Sequence, residues 1–222
     1  MKGGADTDWR TADAEIIAKL NEIKNNGGKI AILSSTIISS STTKLIADFS
    51  AAYGNVVHVQ MDAVSYSGML DANEASFGVR ALPTYNFDKA AVIVSFGADF
   101  LGNWLNADYA KQYVTARNPN SGKMAKHYQV ESTLSLTGSN ADDRIQIKPS
   151  EQAGLLSNLY SALNGGTADS RIAKMANDLA NNAGKSIVVC NSNDAEVQTL
   201  VNAINNKLGN YENTMSFSNP SY

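Results

Sequence analysis

The chain is poorest in cysteine, and what that scarcity excludes comes first. Its 222 residues contain a single cysteine, Cys190, inside the apolar run SIVVCNS. One thiol cannot form an internal disulfide, a thiolate zinc site or an iron–sulfur cluster, so electron transfer through clusters held by these residues is excluded on ligand number. Cys190 therefore reads as a small buried hydrophobe. Histidine is nearly as scarce: there are two, His58 and His127. Neither has a second His or Cys at metal-ligand spacing, which assigns both a structural role. Positive charge is short as well. A net charge of −3 and a pI near 5.4 give no electrostatic footprint for nucleic acid or an anionic membrane. No apolar run approaches the ~20 residues that span a bilayer. The opening residues MKGGADTDWR lack an apolar signal segment, so any export signal would have to lie upstream of this chain.

What is present is alternation. Helices are predicted over 11–25, from Leu45 to Ala52 and over 65–77, separated by strands at 29–34 and 56–61. In the first helix Ile16, Ile17, Leu20 and Ile23 share a stripe predicted to face inward, and so do Leu45, Ile46, Phe49 and Ala52 in the second. The stretch 87–105, FDKAAVIVSFGADFLGNWL, then combines a continuous apolar run (91–96), a Gly97-Ala98-Asp99 turn and an aromatic lead-in to a helix over 107–116 with Asn106 as its cap. An apolar run without alternation is the pattern of a parallel strand covered on both faces. Further strands are predicted at 128–131, 144–147 and 186–190, and helices at 150–163, 169–181 and from Asn193 to Leu208, with Asn193 and Glu196 as a capping box. The pattern predicts an α/β fold: three αβα layers around a mostly parallel, doubly wound sheet. Residues 10–183 are expected to form one Rossmann-like domain. Residues 184–222 are expected to begin a second βα lobe, with the terminal TMSFSNPSY starting an extended segment that does not finish.

Motifs for common chemistries are missing or out of context. SSTIISSST stands where a dinucleotide fingerprint would place glycines; its hydroxyls read as helix caps, with anion binding as the alternative. AGKS (183–186) resembles the end of a phosphate loop, but Leu179 replaces the needed glycine and the order runs helix to strand. No G-x-S-x-G elbow occurs. Asp142 and Asp143 read as solvated loop carboxylates. His127 and Glu131 share a strand face yet lie roughly 13 Å apart, too far for direct proton relay. The Gly97-Ala98-Asp99 turn sits where open α/β sheets place ligands, so Asp99 is read either as a turn cap or as an acceptor for a ribose or a guanine.

The segments ILSSTIISSSTTKLIADFSAAYG, MDAVSYSGMLDANEASFG, LPTYNFDKAAVIVSFGADFLGNW and HYQVESTLSLTGSNADDRIQIKPSEQAGLL resemble one family from about residue 10 onward. It is the molybdopterin-oxidoreductase-like region of the large iron–sulfur subunit of bacterial alternative complex III, the Tat-variant-translocated type. That family is similar to the dimethyl-sulfoxide-reductase class, in which a Gly-Ala-Asp/Asn turn and a later Asp-Pro-Arg segment grip the guanine nucleotide of the pterin cofactor. The resemblance maps the turn onto Gly97, Ala98 and Asp99. It maps the later segment onto Glu131, Ser132 and Thr133, which lack the Pro and Arg, and an I-R-P-G-T/S element onto Ile147, Lys148, Pro149 and Ser150. A vestigial cofactor site at Gly97, Ala98, Asp99, Glu131, Ser132 and Lys148 is thereby implied. No residue matches the metal-ligand motif.

By this resemblance the chain is a non-catalytic scaffold fragment of a quinol-oxidising subunit on the periplasmic side of the bacterial inner membrane. Iron–sulfur clusters are expected in a cysteine-rich region outside these residues, and no molybdopterin is expected in the fragment. The implied partners are that cluster domain and the other subunits of a membrane-bound respiratory complex, with no nucleic acid and no direct membrane insertion. A molybdopterin guanine dinucleotide or other nucleotide half-site is the alternative, and a free-standing small-molecule-binding domain is the third reading.

Overall fold

The computed structural model describes residues 3–37, 39–122, 124–218 and 220. Ile38 of the hydroxyl-rich loop, Lys123 of the polar loop, and Asn219, Ser221 and Tyr222 of the terminal segment lie outside the described residues. The chain divides into two compact units, one ending at Ser65 and the other beginning at Tyr66.

In the first unit, α1 (Trp9–Asn25), β1 (Ile30–Ser34), α2 (Ser40–Tyr53) and β2 (Val56–Gln60) follow one another. Asp8 caps α1 by accepting from the Thr11 amide at 2.8 Å, and Ser39 caps α2 by accepting from the Thr42 amide at 3.3 Å. β1 and β2 pair in parallel, Ile30 opposite Val56, and form a two-stranded sheet of their own. The inward stripes predicted for this region hold only in part. Leu20, Ile23, Ile46 and Phe49 are half-buried, whereas Ile16, Ile17, Leu45 and Ala52 are exposed, as are Leu33, Val57 and Val59 of the strands. A two-stranded sheet offers too little surface to bury the full apolar stripe of two helices.

The second unit carries α3 (Ser67–Phe77), β3 (Thr84–Tyr85), β4 (Val92–Phe96), α4 (Asp108–Ala116), β5 (Lys126–Glu131), α5 (Leu136–Ser139) and β6 (Asp143–Gln146). α6 (Gln152–Leu163), α7 (Ala173–Asn181), β7 (Ser186–Cys190), α8 (Ala195–Lys207) and β8 (Met215–Ser216) complete it. Four strands form one parallel sheet in the order β6-β5-β4-β7, with Val92 of β4 opposite both Lys126 and Ser186. All five residues of β4 and of β7 are buried, as an apolar run covered on both faces requires. Val94, Phe96, Val130 and Val188 pack against Leu156 and Leu159 of α6, Met175 and Leu179 of α7, and Ile204 of α8. On the opposite face, Ile93, Ile187 and Val189 share a cluster with Met69 of α3, Tyr109 and Tyr113 of α4, and the rings of Phe87, Phe100 and Trp104. The result is the three-layer αβα arrangement with a parallel, doubly wound sheet.

Three local expectations change. The boundary at 183/184 is not a structural one: Ser186–Cys190 supplies β4 with its second neighbour, and β8 pairs antiparallel with β3, so residues 184–218 belong to the same unit as β4. A strand as apolar as β4 needs a hydrogen-bonding partner on each edge, and local sequence does not reveal that the partner lies about ninety residues downstream. Asp194, not Asn193, caps α8, accepting from the amides of Glu196 at 2.8 Å and Val197 at 3.2 Å; Asn193 instead accepts from the Gly68 amide at 2.8 Å. α7 starts at Ala173 rather than Asp169, because the Asp169 carboxylate accepts from the Arg171 amide at 2.9 Å and holds that stretch as a turn.

The free edge of β7 is sealed by side chains. The Val188 amide donates to Asn205 Oδ1 at 3.1 Å, and Asn205 Nδ2 donates back to the Val188 carbonyl at 2.8 Å. Thr214 Oγ1 donates to the Ser186 carbonyl at 2.6 Å, and Gln198 Nε2 donates to the Cys190 carbonyl at 3.0 Å. Asn210 Oδ1 accepts from the Ser186 hydroxyl at 2.9 Å. All four residues are buried. Asn205→Ala strands the amide and carbonyl of Val188, each at a cost of about 1–3 kcal/mol. The expected outcome is a loss of about 2–5 kcal/mol in urea-denaturation free energy, well above what a surface Asn→Ala change produces.

Candidate functional site

The site follows from the strand order. β4 leads into α4 on one face of the sheet, and β7 leads into α8 on the other, so their C-terminal ends flank a topological switch point. A cleft of about 340 Å³ opens there, lined by Gly97, Glu131, Ser132, Pro149, Gln152 and Asn191 among others. Gly97 has φ +72°, and a Cβ on it would meet the Asn191 side chain at 2.7–2.8 Å. Both the backbone angle and the close approach therefore require glycine.

Of the residues singled out from sequence, the structure brings Gly97, Glu131 and Ser132 together on the cleft wall. Ala98 is wholly buried, and its carbonyl accepts from Ser95 Oγ at 2.8 Å. Asp99 faces α5: its Oδ1 accepts from the Thr137 amide at 2.9 Å and the Thr137 hydroxyl at 2.6 Å. Its backbone carbonyl accepts from the amides of Gly102, Asn103 and Trp104. Asp99 is thus a turn clamp, the first of its two sequence-based readings. Lys148 is exposed beside Pro149, and its amide donates to Glu151 Oε2 at 2.8 Å.

Glu131 is spent in the same way. Oε1 accepts from Arg144 Nε at 2.6 Å and the Ser135 amide at 3.2 Å. Oε2 accepts from Ser135 Oγ at 2.6 Å and Gln129 Nε2 at 3.1 Å. Burial alone would raise its pKa, but Arg144, Ser135 and Gln129 together outweigh burial and hold it below the ordinary glutamate value. Among the described residues no group of three His, Cys, Asp or Glu side chains could hold a metal ion.

Gln152 and Asn191 were not foreseen. Gln152 Nε2 donates to the Phe96 carbonyl at 2.8 Å and to Asn191 Oδ1 at 3.0 Å. A carbonyl only accepts, so Phe96 fixes the Gln152 amide, and Gln152 in turn fixes that of Asn191. Gln152 Oε1 and Asn191 Nδ2, an acceptor and a donor, remain free among the described residues, and both side chains line the cleft. Asn191 was findable, since it follows β7 as Gly97 follows β4. Gln152 carries no local signal.

The remaining candidates are structural. Ser34 Oγ lies 2.8 Å from His58 Nε2 but also donates to the Ser35 carbonyl at 2.6 Å, so its proton is not directed at the ring. Asp142 and Asp143, predicted to be solvated, are each paired. Asp142 receives two bonds from Arg117, at 2.5 and 2.9 Å, and Asp143 meets Lys126 at 2.8 Å and Lys174 at 3.1 Å. These cations come from three separate elements, Arg117 from the end of α4, Lys126 from β5 and Lys174 from α7, which local composition did not show.

No protein-family model matches the sequence, and no curated protein matches it. Among solved structures the fold is similar to acetylene hydratase from Pelobacter acetylenicus, with a TM-score of 0.60 and 14% identity over 95% of this chain and 34% of that one. It is also similar to the formyltransferase/hydrolase complex (FhcABCD) from Methylorubrum extorquens in complex with methylofuran, with a TM-score of 0.56 and 16% identity over 97% of this chain and 57% of that one. At these identities the likeness is one of fold. The chain spans about a third of the first structure's chain and just over half of the second's.

Two outcomes are expected. Asp99→Ala removes both bonds from Thr137 and lowers stability by about 2–4 kcal/mol, while Asp99→Asn, which keeps an acceptor, costs less than half as much. Acid unfolding should follow the paired carboxylates. The Arg117 guanidinium brings Asp142 down to about 2, and Glu131 is depressed too. Groups depressed in the folded state stabilise it above their unfolded values and lose that contribution as pH falls. Stability measured by urea denaturation should therefore decline between about pH 4.5 and pH 2, and less steeply in Asp142→Asn.

Proposed function

We propose that the chain is a non-catalytic structural module of a quinol-oxidising respiratory electron-transfer subunit, a molybdopterin-oxidoreductase fold kept as a scaffold. The observation that carries this reading is the fate of Asp99 and Glu131. The residues that the resemblance places at a nucleotide grip spend their carboxylates on Thr137, Arg144, Ser135 and Gln129. The fit of a pterin guanine nucleotide is correspondingly poor: none of the residues lining the cleft is cationic, leaving a diphosphate without a countercharge. In this reading the module sits on the periplasmic side of the bacterial inner membrane and packs against an iron–sulfur cluster domain and neighbouring subunits of the complex. Electrons move through those clusters and not through this chain.

A second reading has one specific observation in its favour. The free Gln152 Oε1 and Asn191 Nδ2 present an acceptor beside a donor, which matches the lactam edge of an uncharged base. In that reading the crevice is a nucleotide half-site closed by residues outside this chain.

Elemental analysis and nucleotide release on the intact parent complex separate the two. The scaffold reading expects iron, with molybdenum, tungsten and releasable guanine nucleotide all far below one per complex. Stoichiometric metal and nucleotide together would overturn it in favour of the half-site.

A further inference from the structure

His127 lies on β5, completely buried, on the strand face it shares with Gln129 and Glu131. Its ring stands between Tyr113 and Gln129. On one side Nδ1 is 3.1 Å from the Tyr113 hydroxyl, which is also 2.9 Å from the Asn140 carbonyl. That phenol has two acceptors within reach and one proton to give. On the other side Nε2 lies near the Gln129 carboxamide, and both Nε2 and Gln129 Oε1 are buried without a hydrogen-bond partner among the described residues. The orientation of that amide is fixed, because Gln129 Nε2 donates at 3.1 Å to Glu131 Oε2 and a carboxylate accepts only. Gln129 Oε1 is therefore left as the open acceptor of that amide.

We propose that His127 is an internal proton-binding site, with the Tyr113 hydroxyl as its two-position rotor and Gln129 coupling it to the Glu131–Arg144 pair on the cleft wall. In the neutral state Nε2–H donates to Gln129 Oε1, and the Tyr113 hydroxyl donates to Nδ1. When a proton arrives at Nδ1, the ring donates on both sides, and the Tyr113 proton swings to the Asn140 carbonyl at the end of α5. On the Tyr113 side both states use atoms already in place, so proton uptake there needs one hydroxyl rotation, while on the Gln129 side two open atoms close into one bond. The same α5 is held by Asp99 through Thr137, and its cap Ser135 donates to Glu131. The rotor and the cleft wall thus share one short helix.

The charged and titratable groups facing His127 are Tyr113 and Arg117 from α4, Asp142 from the segment before β6, and Glu131 from its own strand. Burial opposes the proton most strongly, and Arg117 opposes it too, whereas Gln129, Asp142 and Glu131 favour it; the balance brings the imidazole down to about 4. A ligand that draws Arg144 away from Glu131 would leave that carboxylate uncompensated and raise the proton affinity of His127. By linkage, protonation would favour such a ligand equally.

The test is long-range proton–nitrogen NMR of the two imidazoles in the 222-residue chain, His58→Gln assigning the pair. At pH 7 His127 should be the Nε2–H tautomer, with one titration midpoint well below the ordinary value. Gln129→Leu and Glu131→Gln should each lower that midpoint by about half a pH unit or more, a threefold loss of proton affinity. The near-isosteric Tyr113→Phe should lower it also, and it supplies the answer if either of the first two fails to fold. An Nδ1–H tautomer at pH 7, a midpoint unmoved in the folded variants, or a ring that stays neutral until the chain unfolds would each overturn the proposal.

Discussion

The fold of the second unit depends on β4 being buried on both faces and bonded on both edges. A strand in that position cannot end in an ordinary loop, because its last carbonyl and the groups after it emerge between two neighbouring strand ends. Phe96 O is accordingly claimed twice, by the Asn191 amide at 3.0 Å and by Gln152 at 2.8 Å. Gly97 then turns with positive φ because no side chain fits beneath Asn191. The cleft, the direction of α4 and the clamp at Asp99 all descend from that crowding.

The cleft also shows how charge can be present and yet unavailable. Glu131 stands on its wall with both oxygens bonded twice, so it contributes shape and rigidity but no open acceptor. A half-satisfied buried carboxylate would be costly, and the sequence supplies four donors to avoid that cost. The groups left open are uncharged, the amides of Gln152 and Asn191 among them, and they recognise without attracting charge.

Legibility in the sequence followed range. The apolar run through Phe96, the glycine after it and the αβ alternation are local properties, and each was readable. The pairing of β7 with β4, the Arg144–Glu131 bond and the placement of Gln152 were not, because the first two depend on parallel register and the third on how α6 packs against the strand ends. The helices of the first unit fall between these cases. Their periodicity was right, but periodicity records which residues share a face and not how much surface exists to cover it. Half of the predicted site residues reached the cleft, because strand ends are locally marked; the residues that set the amide pair are joined only in three dimensions.

The amide seal along β7 has a consequence for how the domain can be enlarged. With Asn205, Gln198 and Thr214 occupying the backbone groups that another strand would need, the sheet is finished at that border. Its other border, β6, is where strands are added or lost with least disturbance. Growth of the sheet is one-directional, and the switch-point crevice keeps its distance from the sealed border however far the opposite side extends.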